Sequence, residues 1–420
     1  MQLQYDAIVV GAGPAGSTAA IRLAQADWSV ALIEREVFPR RKVCGECIAA
    51  SNLPLLKALG VGDAFAALAG PELRRVALLW DRESISAPLP AAPGAQPWGR
   101  ALGRPRLDTL LLARARALGV TVWQPCTAHA VSGSPGAYHC ELRNTRADAR
   151  VRSAHDTITL SAPVAIAANG SWERLPAERA GLHAGARGHE LLAFKANFMG
   201  SALSPGLLPV LAFTGGYGGM VIADEGMMTL ACCIQLATLQ RARRANPGLR
   251  AGEAVQAHLQ EHCQGVAEAL RGARRTGEWL AVGPIRPGVT PAPGGAIPPP
   301  FRIGNAAGEA HPLVGEGISM ALQSAWLLCA LLLGHPQVRG CGRAALEAQR
   351  IVHARYAAQW RRQFLGRMRL AAALAQLAMH PRAARGCLPL LRRAPGLLTQ
   401  GARWSGKIRS MRASQRETTS

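Results

Sequence analysis

The stretch Tyr5-Asp6-Ala7-Ile8-Val9-Val10-Gly11-Ala12-Gly13-Pro14-Ala15-Gly16 decides the fold. Tyr5 to Val10 read as a short buried strand. Gly11, Gly13 and Gly16 follow in G-x-G-x-x-G register, and an Ala-rich run from about Ala15 to Ala26 reads as a helix. A second strand, Ser29 to Ile33, ends at Glu34, with Arg35 next. Gly11 permits the tight turn, Gly13 lets backbone approach a pyrophosphate, and Gly16 lets helix and strand pack closely. Pro14 and Ala15 open the helix, whose free N–H groups and positive dipole end suit phosphate. Glu34 stands where a carboxylate accepts hydrogen bonds from ribose hydroxyls. Strand, glycine loop, helix, second strand and terminal acid together predict a dinucleotide site in a Rossmann-like α/β domain.

Working outward, composition excludes several classes. The 420 residues suffice for two or three domains at ~100–200 residues each. Hydrophobic residues make up 49% and charged residues 18%, so the chain is no disordered polar polymer. No apolar run reaches the ~18–20 residues of a membrane span, the longest candidate lying around Ala325 to Leu333. Asp6 and the glycine turn interrupt any signal peptide at once. Ten irregularly spaced cysteines point to a reduced, cytoplasmic setting, not a disulfide scaffold. The net charge is +22, and 16 basic residues against one acid, Glu347, fall between Arg339 and Arg412.

Three further segments carry a resemblance. The first is Phe38-Pro39-Arg40-Arg41-Lys42-Val43-Cys44-Gly45-Glu46. The second is Gly103-Arg104-Pro105-Arg106-Leu107-Asp108, opening a helix through Leu118. The third is Ile303-Gly304-Asn305-Ala306-Ala307-Gly308-Glu309-Ala310-His311-Pro312, continuing to Gly315-Glu316-Gly317-Ile318. Together with the glycine fingerprint they resemble the flavoprotein superfamily of aromatic hydroxylases, flavin-dependent halogenases and geranylgeranyl reductases. The resemblance spans residues 1 to about 335, with a gap in specificity between about 190 and 285. It implies FAD as the tightly held cofactor. It places Cys44 and Gly45 close to the flavin, Arg104 near the pyrophosphate, and Gly304, Asn305 and Ala306 beside the ribityl chain. Pro312 is expected against the isoalloxazine face, with Gly315, Gly317 and Ile318 at the ring and at a helix start. Asn169-Gly170, after the strand-like Val164 to Ala168, resembles a family Asp-Gly pair. Asn in place of Asp at 169 and 305 keeps an acceptor and removes two charges.

Other residues invite two readings each. Cys44 is either a ring contact or a small buried thiol, and Cys44-x-x-Cys47 a redox pair only without the surroundings that usually make one. His311 is a candidate proton donor next to Pro312. His258 and His262, beside Cys263, have metal-compatible helical spacing on what reads as a solvent-facing helix. No third ligand accompanies them, and no metal site is assigned. Glu46 and Glu316 either orient substrate or satisfy backbone N–H groups.

The expected architecture is an FAD domain of residues 1–71, 101–187 and 286–340, with an inserted substrate sheet from 72–100 and 188–285. A basic helical region, 341–412, breaks near Pro381, Pro389 and Pro395, and 413–420 form a flexible tail. Gly215 to Gly219 read as a turn between sheet strands. The basic region reads either as an amphipathic helix packed on the FAD domain with an Arg-rich solvent face or as an attachment to an anionic membrane surface. Nucleic acid is not expected, since no binding motif accompanies the charge.

Three functional readings follow. The first is an NAD(P)H-driven monooxygenase hydroxylating an apolar aromatic or polyketide-like molecule, with NADPH or NADH bound transiently. The second is a reductase or dehydrogenase acting on a C=C bond of an apolar or lipid substrate. The Cys44-Gly45-Glu46 loop leans this way, although the Y-x-W-x-F-P segment of geranylgeranyl reductases is replaced by Tyr217 to Ala223. The halogenase W-x-W-x-I-P signature is also missing, which ranks halogenation low. The third reading is a non-catalytic flavin- or lipid-binding protein.

Overall fold

A computed structural model describes residues 2–144, 158–171, 189–291 and 298–406. Parts of the expected segments 1–71, 101–187, 188–285, 286–340 and 341–412, and the whole tail 413–420, lie outside the described residues.

The fingerprint strand, Ala7–Val10, is buried along its whole length, as its apolar run requires. It sits at the centre of a five-stranded parallel sheet. The order is Phe301–Arg302, Val164–Ala167, Ala7–Val10, Val30–Ile33 and Thr121–Trp123. Alternate residues serve opposite faces. Ala7, Val9, Val30 and Leu32 pack with Pro14–Ala24, Arg104–Ala117 and Gly317–Leu333 in one apolar core. Ile8, Val10, Ala31 and Ile33 pack with Cys140, Leu142 and Leu160 of a second, four-stranded sheet. That sheet runs Gln2–Gln4, Ile158–Ala162, Ala137–Asn144 and Cys126–Ser134. The parallel sheet is thus covered on both sides.

Strands from residues 75–88 and 191–285 form a separate, mostly antiparallel sheet. Leu191–Met199 lies between Met228–Gln235 on one side and Arg274–Arg275 with Leu280–Ile285 on the other. The path continues through Gly216–Ile222, Leu207–Phe213, Arg75–Trp80 and Glu83–Pro88. One face, with Phe194, Phe198 and Phe213, packs on the helices Leu236–Ala245, Ala251–His262 and Gln264–Ala269. The other presents Trp80, Ala193, Tyr217 and Cys233 toward Ala375, Ala378 and Leu388 from the C-terminal helices.

Four sequence expectations need correction here. Gly215 to Gly219 is not a turn. The bend is at Gly215 (φ +74°), and Gly216–Ile222 is already strand. Glycine is needed inside it, because a Cβ at Gly216 would lie 2.2 Å from the Phe213 ring and one at Gly218 2.6 Å from the Ala231 carbonyl oxygen. Pro389 does not break its helix. Pro381–Arg393 runs through it, with Leu388 and Leu391 packed inward on either side of the proline. Arg367 is not on the solvent face of the long helix Gly342–Met379 but buried, its Nη1 3.0 Å from Gln323 Oε1 and 3.5 Å from Glu316 Oε2. His258 turns inward, edge-on to Phe213 at 5.8 Å, and burial followed by the neighbouring His262 lowers its pKa to about 4. The long helix otherwise behaves as an amphipath: Val352, Tyr356, Trp360, Phe364 and Met368 join the core of the parallel-sheet domain.

Candidate functional site

The end of the fingerprint strand opens into a cavity of about 890 Å3. At its polar end the glycine loop is pressed against the next strand. Gly11 has φ +102°, and a Cβ there would lie 2.5 Å from the Ala168 carbonyl oxygen. A Cβ at Gly16 would lie 1.8 Å from the Gly11 carbonyl oxygen, so the helix could not approach. Positions 11 and 16 therefore admit no side chain. Over Gly13 two guanidinium groups converge, from Arg104 and Arg40, 3.7 and 3.9 Å from the position of a Cβ. The helix start and two cations therefore face one point, a setting for a diphosphate.

Glu34 ends the second strand and is buried. Its Oε2 accepts the Ala12 N–H at 3.0 Å and its Oε1 the Glu36 N–H at 2.9 Å, which fixes the carboxylate at the cavity wall. Thr127 and His129, on the strand that starts beside Glu34, line the same end. Arg104 is held by Asp108 through two 2.7 Å bonds. Burial opposes its charge, but Asp108 and then Cys44 more than offset this and raise its pKa. Arg40 Nη2 lies 3.4 Å from Glu34 and 3.6 Å from Asp108, spanning the two acids.

Further in, Gly304 has φ +58° and its N–H donates to Ser324 Oγ at 2.8 Å. Asn305 Nδ2 donates to Ser171 Oγ at 2.9 Å. Gly315 takes the left-handed conformation, φ +63°, just before the helix Gly317–Leu333. Pro312, Gly315, Gly317 and Ile318 line the cavity with Asn169, Gly170, Gly304 and Asn305. So do Gly11, Gly13, Pro14, Ala15, Arg35, Cys44, Gly45 and Arg104. Gly16 and Ala306 are not lining residues. Gly16 acts through packing, as its spacing implies. His311 is not in the wall either, but its Nδ1 is 2.9 Å from the hydroxyl of Tyr217, which is. Burial lowers the His311 pKa. Burial, then Cys233 and Glu309, raise that of Tyr217. Burial raises Glu309 as well, against its bonds from Ser171 and the Arg286 N–H.

Sequence reasoning missed a buried network behind this wall. Glu46, at φ +57°, pairs with Lys195 from the antiparallel sheet. It also accepts the Arg104 N–H at 2.8 Å and the Thr229 hydroxyl at 2.5 Å. Asn197 donates to Thr229 at 2.8 Å. One sequence signal existed: Lys195 is among only four lysines, in the middle of an apolar strand. Tyr217 and Arg40 fall within stretches where the family resemblance assigns them no role. Cys44 and Cys47 are not joined by a disulfide, and Cys44 Sγ accepts the Glu46 N–H at 3.3 Å. The rings of His258 and His262 lie 4.2 Å apart between centroids, tilted by 31°.

Past the sheet face the cavity becomes apolar, bounded by Phe194, Val210, Met220 and Ile285 and by Leu374 and Leu388 of the C-terminal helices.

The family described as FAD binding domain matches residues 4–271. The bare-backbone cradle, the paired arginines and the anchored acid fit that cofactor. Among curated proteins, menaquinone reductase of Mycobacterium tuberculosis (strain ATCC 25618 / H37Rv) is 35% identical over 103 residues, 24% of this chain and 24% of that protein. The matched stretches span only 11%, 14% and 12% of three other curated relatives. Among solved structures, the myxobacterial chondrochloren halogenase CndH superposes with TM-score 0.67 at 20% identity, over 95% of this chain and 91% of that one. The probable FAD-dependent monooxygenase PqsL of Pseudomonas aeruginosa gives TM-score 0.69 at 16% identity, over 91% and 99%. These two likenesses establish the fold.

Proposed function

The chain belongs to the FAD binding domain family, and on that premise we propose that it is an FAD-dependent oxidoreductase, a monooxygenase of an apolar aromatic or polyketide-like molecule reduced by NADH or NADPH. The observation that carries this reading is one continuous cavity, polar and cationic at the glycine loop and apolar where it meets the C-terminal helices. FAD, when bound, supplies two-electron transfer and, once reduced, activation of O2. The overall reaction is RH + O2 + NAD(P)H + H+ giving ROH, water and NAD(P)+.

The chain's own residues bind, orient and move protons. Arg40, Arg104 and the helix start hold phosphate; Glu34 holds ribose. The apolar walls exclude water and select substrate by shape. Tyr217 and His311 hold a proton at the cavity wall. When His311 carries it on Nδ1, the tyrosine hydroxyl is free to donate inward; in the other tautomer the hydroxyl donates to His311.

That proton source also favours a second reading, reduction of a C=C bond in an apolar substrate, and the partial likeness to a menaquinone reductase supports it. The experiment is turnover of the FAD-loaded protein with NADPH or NADH and isotopic O2. Label in the product, one atom per NAD(P)H oxidised, is the expected result. Turnover that persists without O2 and adds two hydrogens to substrate would overturn it in favour of the reductase. In that case Tyr217→Phe should slow turnover by ~10²-fold with flavin content unchanged.

A further inference from the structure

Two short helices, Pro381–Arg393 and Gly396–Trp404, line the apolar end of the cavity. Their inner residues Leu388, Leu391 and Leu398 pack with Trp80 and Leu313. Polar ties anchor them: Thr399 Oγ1 donates to the Pro88 carbonyl at 2.7 Å, and Ser51 Oγ to the Gly406 carbonyl at 3.1 Å. Their outer residues are unusual. Leu390, Leu397 and Trp404 are 59%, 44% and 64% exposed, yet all three also border the cavity. A single exposed leucine needs no explanation, but three large apolar side chains around one opening do.

The charge around that opening is one-sided. Between His380 and Gly406 there are five arginines and no carboxylate. Arg392 pairs with Glu83, and Arg385 lies over the Trp80 ring at 5.5 Å. Arg382, Arg393 and Arg403 are exposed beside the apolar rim. A second copy of this surface would set arginine against arginine. A nucleic acid would use the charge and leave the apolar rim unexplained.

We propose that this rim seats on an anionic lipid bilayer, so that the cavity opens into the membrane. Leu390, Leu397 and Trp404 enter the headgroup–acyl boundary, and Arg382, Arg393 and Arg403 meet lipid phosphates. An interfacial helix binds through this combination of an apolar face and flanking cations. Each arginine near an anionic surface adds an attraction that salt screens, and tryptophan favours the interface itself. The surface deepens the proposed function by supplying membrane-dissolved substrate. Its test needs no turnover, so either idea can fail alone.

The test is co-sedimentation of the full, FAD-loaded chain with vesicles of phosphatidylcholine alone or of equal parts phosphatidylcholine and phosphatidylglycerol. Binding to the anionic vesicles should exceed binding to the neutral ones by at least ~10-fold and fall with added salt. A triple variant, Leu390→Ser with Leu397→Ser and Trp404→Ser, should lose it. So should Arg382→Gln with Arg393→Gln and Arg403→Gln. Bound-flavin absorbance verifies that each variant is folded. Equal binding to both vesicle types, or wild-type binding by the serine variant, overturns the proposal. So does a dimer that the serine variant abolishes, with no vesicle binding.

Discussion

Replacing Lys195 by methionine tests how the flavin-side loop is latched to the antiparallel sheet. Lys195 and Glu46 are each 1% exposed, so the pair is fully withdrawn from water. Deleting the ammonium leaves a buried carboxylate held, among the described residues, by the Arg104 N–H and the Thr229 hydroxyl. Breaking a buried pair from one side costs about 3–5 kcal/mol, a large part of the roughly 5–15 kcal/mol that stabilises a domain. Glu46→Gln in the Lys195→Met background removes the stranded charge and should restore about 2 kcal/mol or more. The solvent-exposed pair Arg74–Glu72 is the control: Arg74→Met should cost about 1 kcal/mol at most. Urea unfolding at saturating FAD, followed by circular dichroism, reads five proteins: wild type, Lys195→Met, Glu46→Gln, their double variant and Arg74→Met. A Lys195→Met cost near that of Arg74→Met, or a double variant as unstable as the sum of its singles, would refute the reasoning.

Two further outcomes are expected. Gly16→Ala places a Cβ 1.8 Å from the Gly11 carbonyl oxygen, so purified protein should carry at least ~10-fold less flavin by visible absorbance, whereas Gly226→Ala, at positive φ but in open space, should keep its flavin. His353 stacks on Phe301 at 3.9 Å and burial lowers its pKa from 6.5 to about 4. The unfolded chain therefore binds the extra proton first, and stability falls as pH drops from about 6.5 towards about 4. His353→Phe should remove on the order of 2 kcal/mol of the stability lost between pH 7 and pH 5, measured by denaturant midpoints at both.

The nucleotide end was legible in the sequence because its constraints are local. Gly11, Gly13, Gly16 and Glu34 act within one strand–helix–strand unit, and the backbone demands of that unit leave glycine as the residue that fits. Phe301 to Pro312 was readable for the same reason. The Glu46–Lys195–Thr229 network was not, since its members come from three distant segments and meet only once two sheets pack. Gly216 and Gly218 misled in the other direction. A glycine run reads as a turn, but here glycine answers the Phe213 ring and a neighbouring carbonyl inside a strand. The C-terminal helices showed their amphipathic pattern in sequence. That their apolar side would line a cavity, and that Arg367 would be buried, depended on a sheet face whose register no local pattern reveals.

The strand Phe301–Arg302 has a consequence for how the protein is made. It pairs with Val164–Ala167, across nearly all of the antiparallel sheet in chain order. While the ribosome adds the intervening chain, on the order of ten seconds at ~5–20 residues per second, the inner strand Val164–Ala167 is an unprotected apolar edge. The cradle for the cofactor also lacks its Gly304–Gly317 wall throughout that interval. The complete flavin cradle thus forms late in biosynthesis, after the chain has passed Gly317.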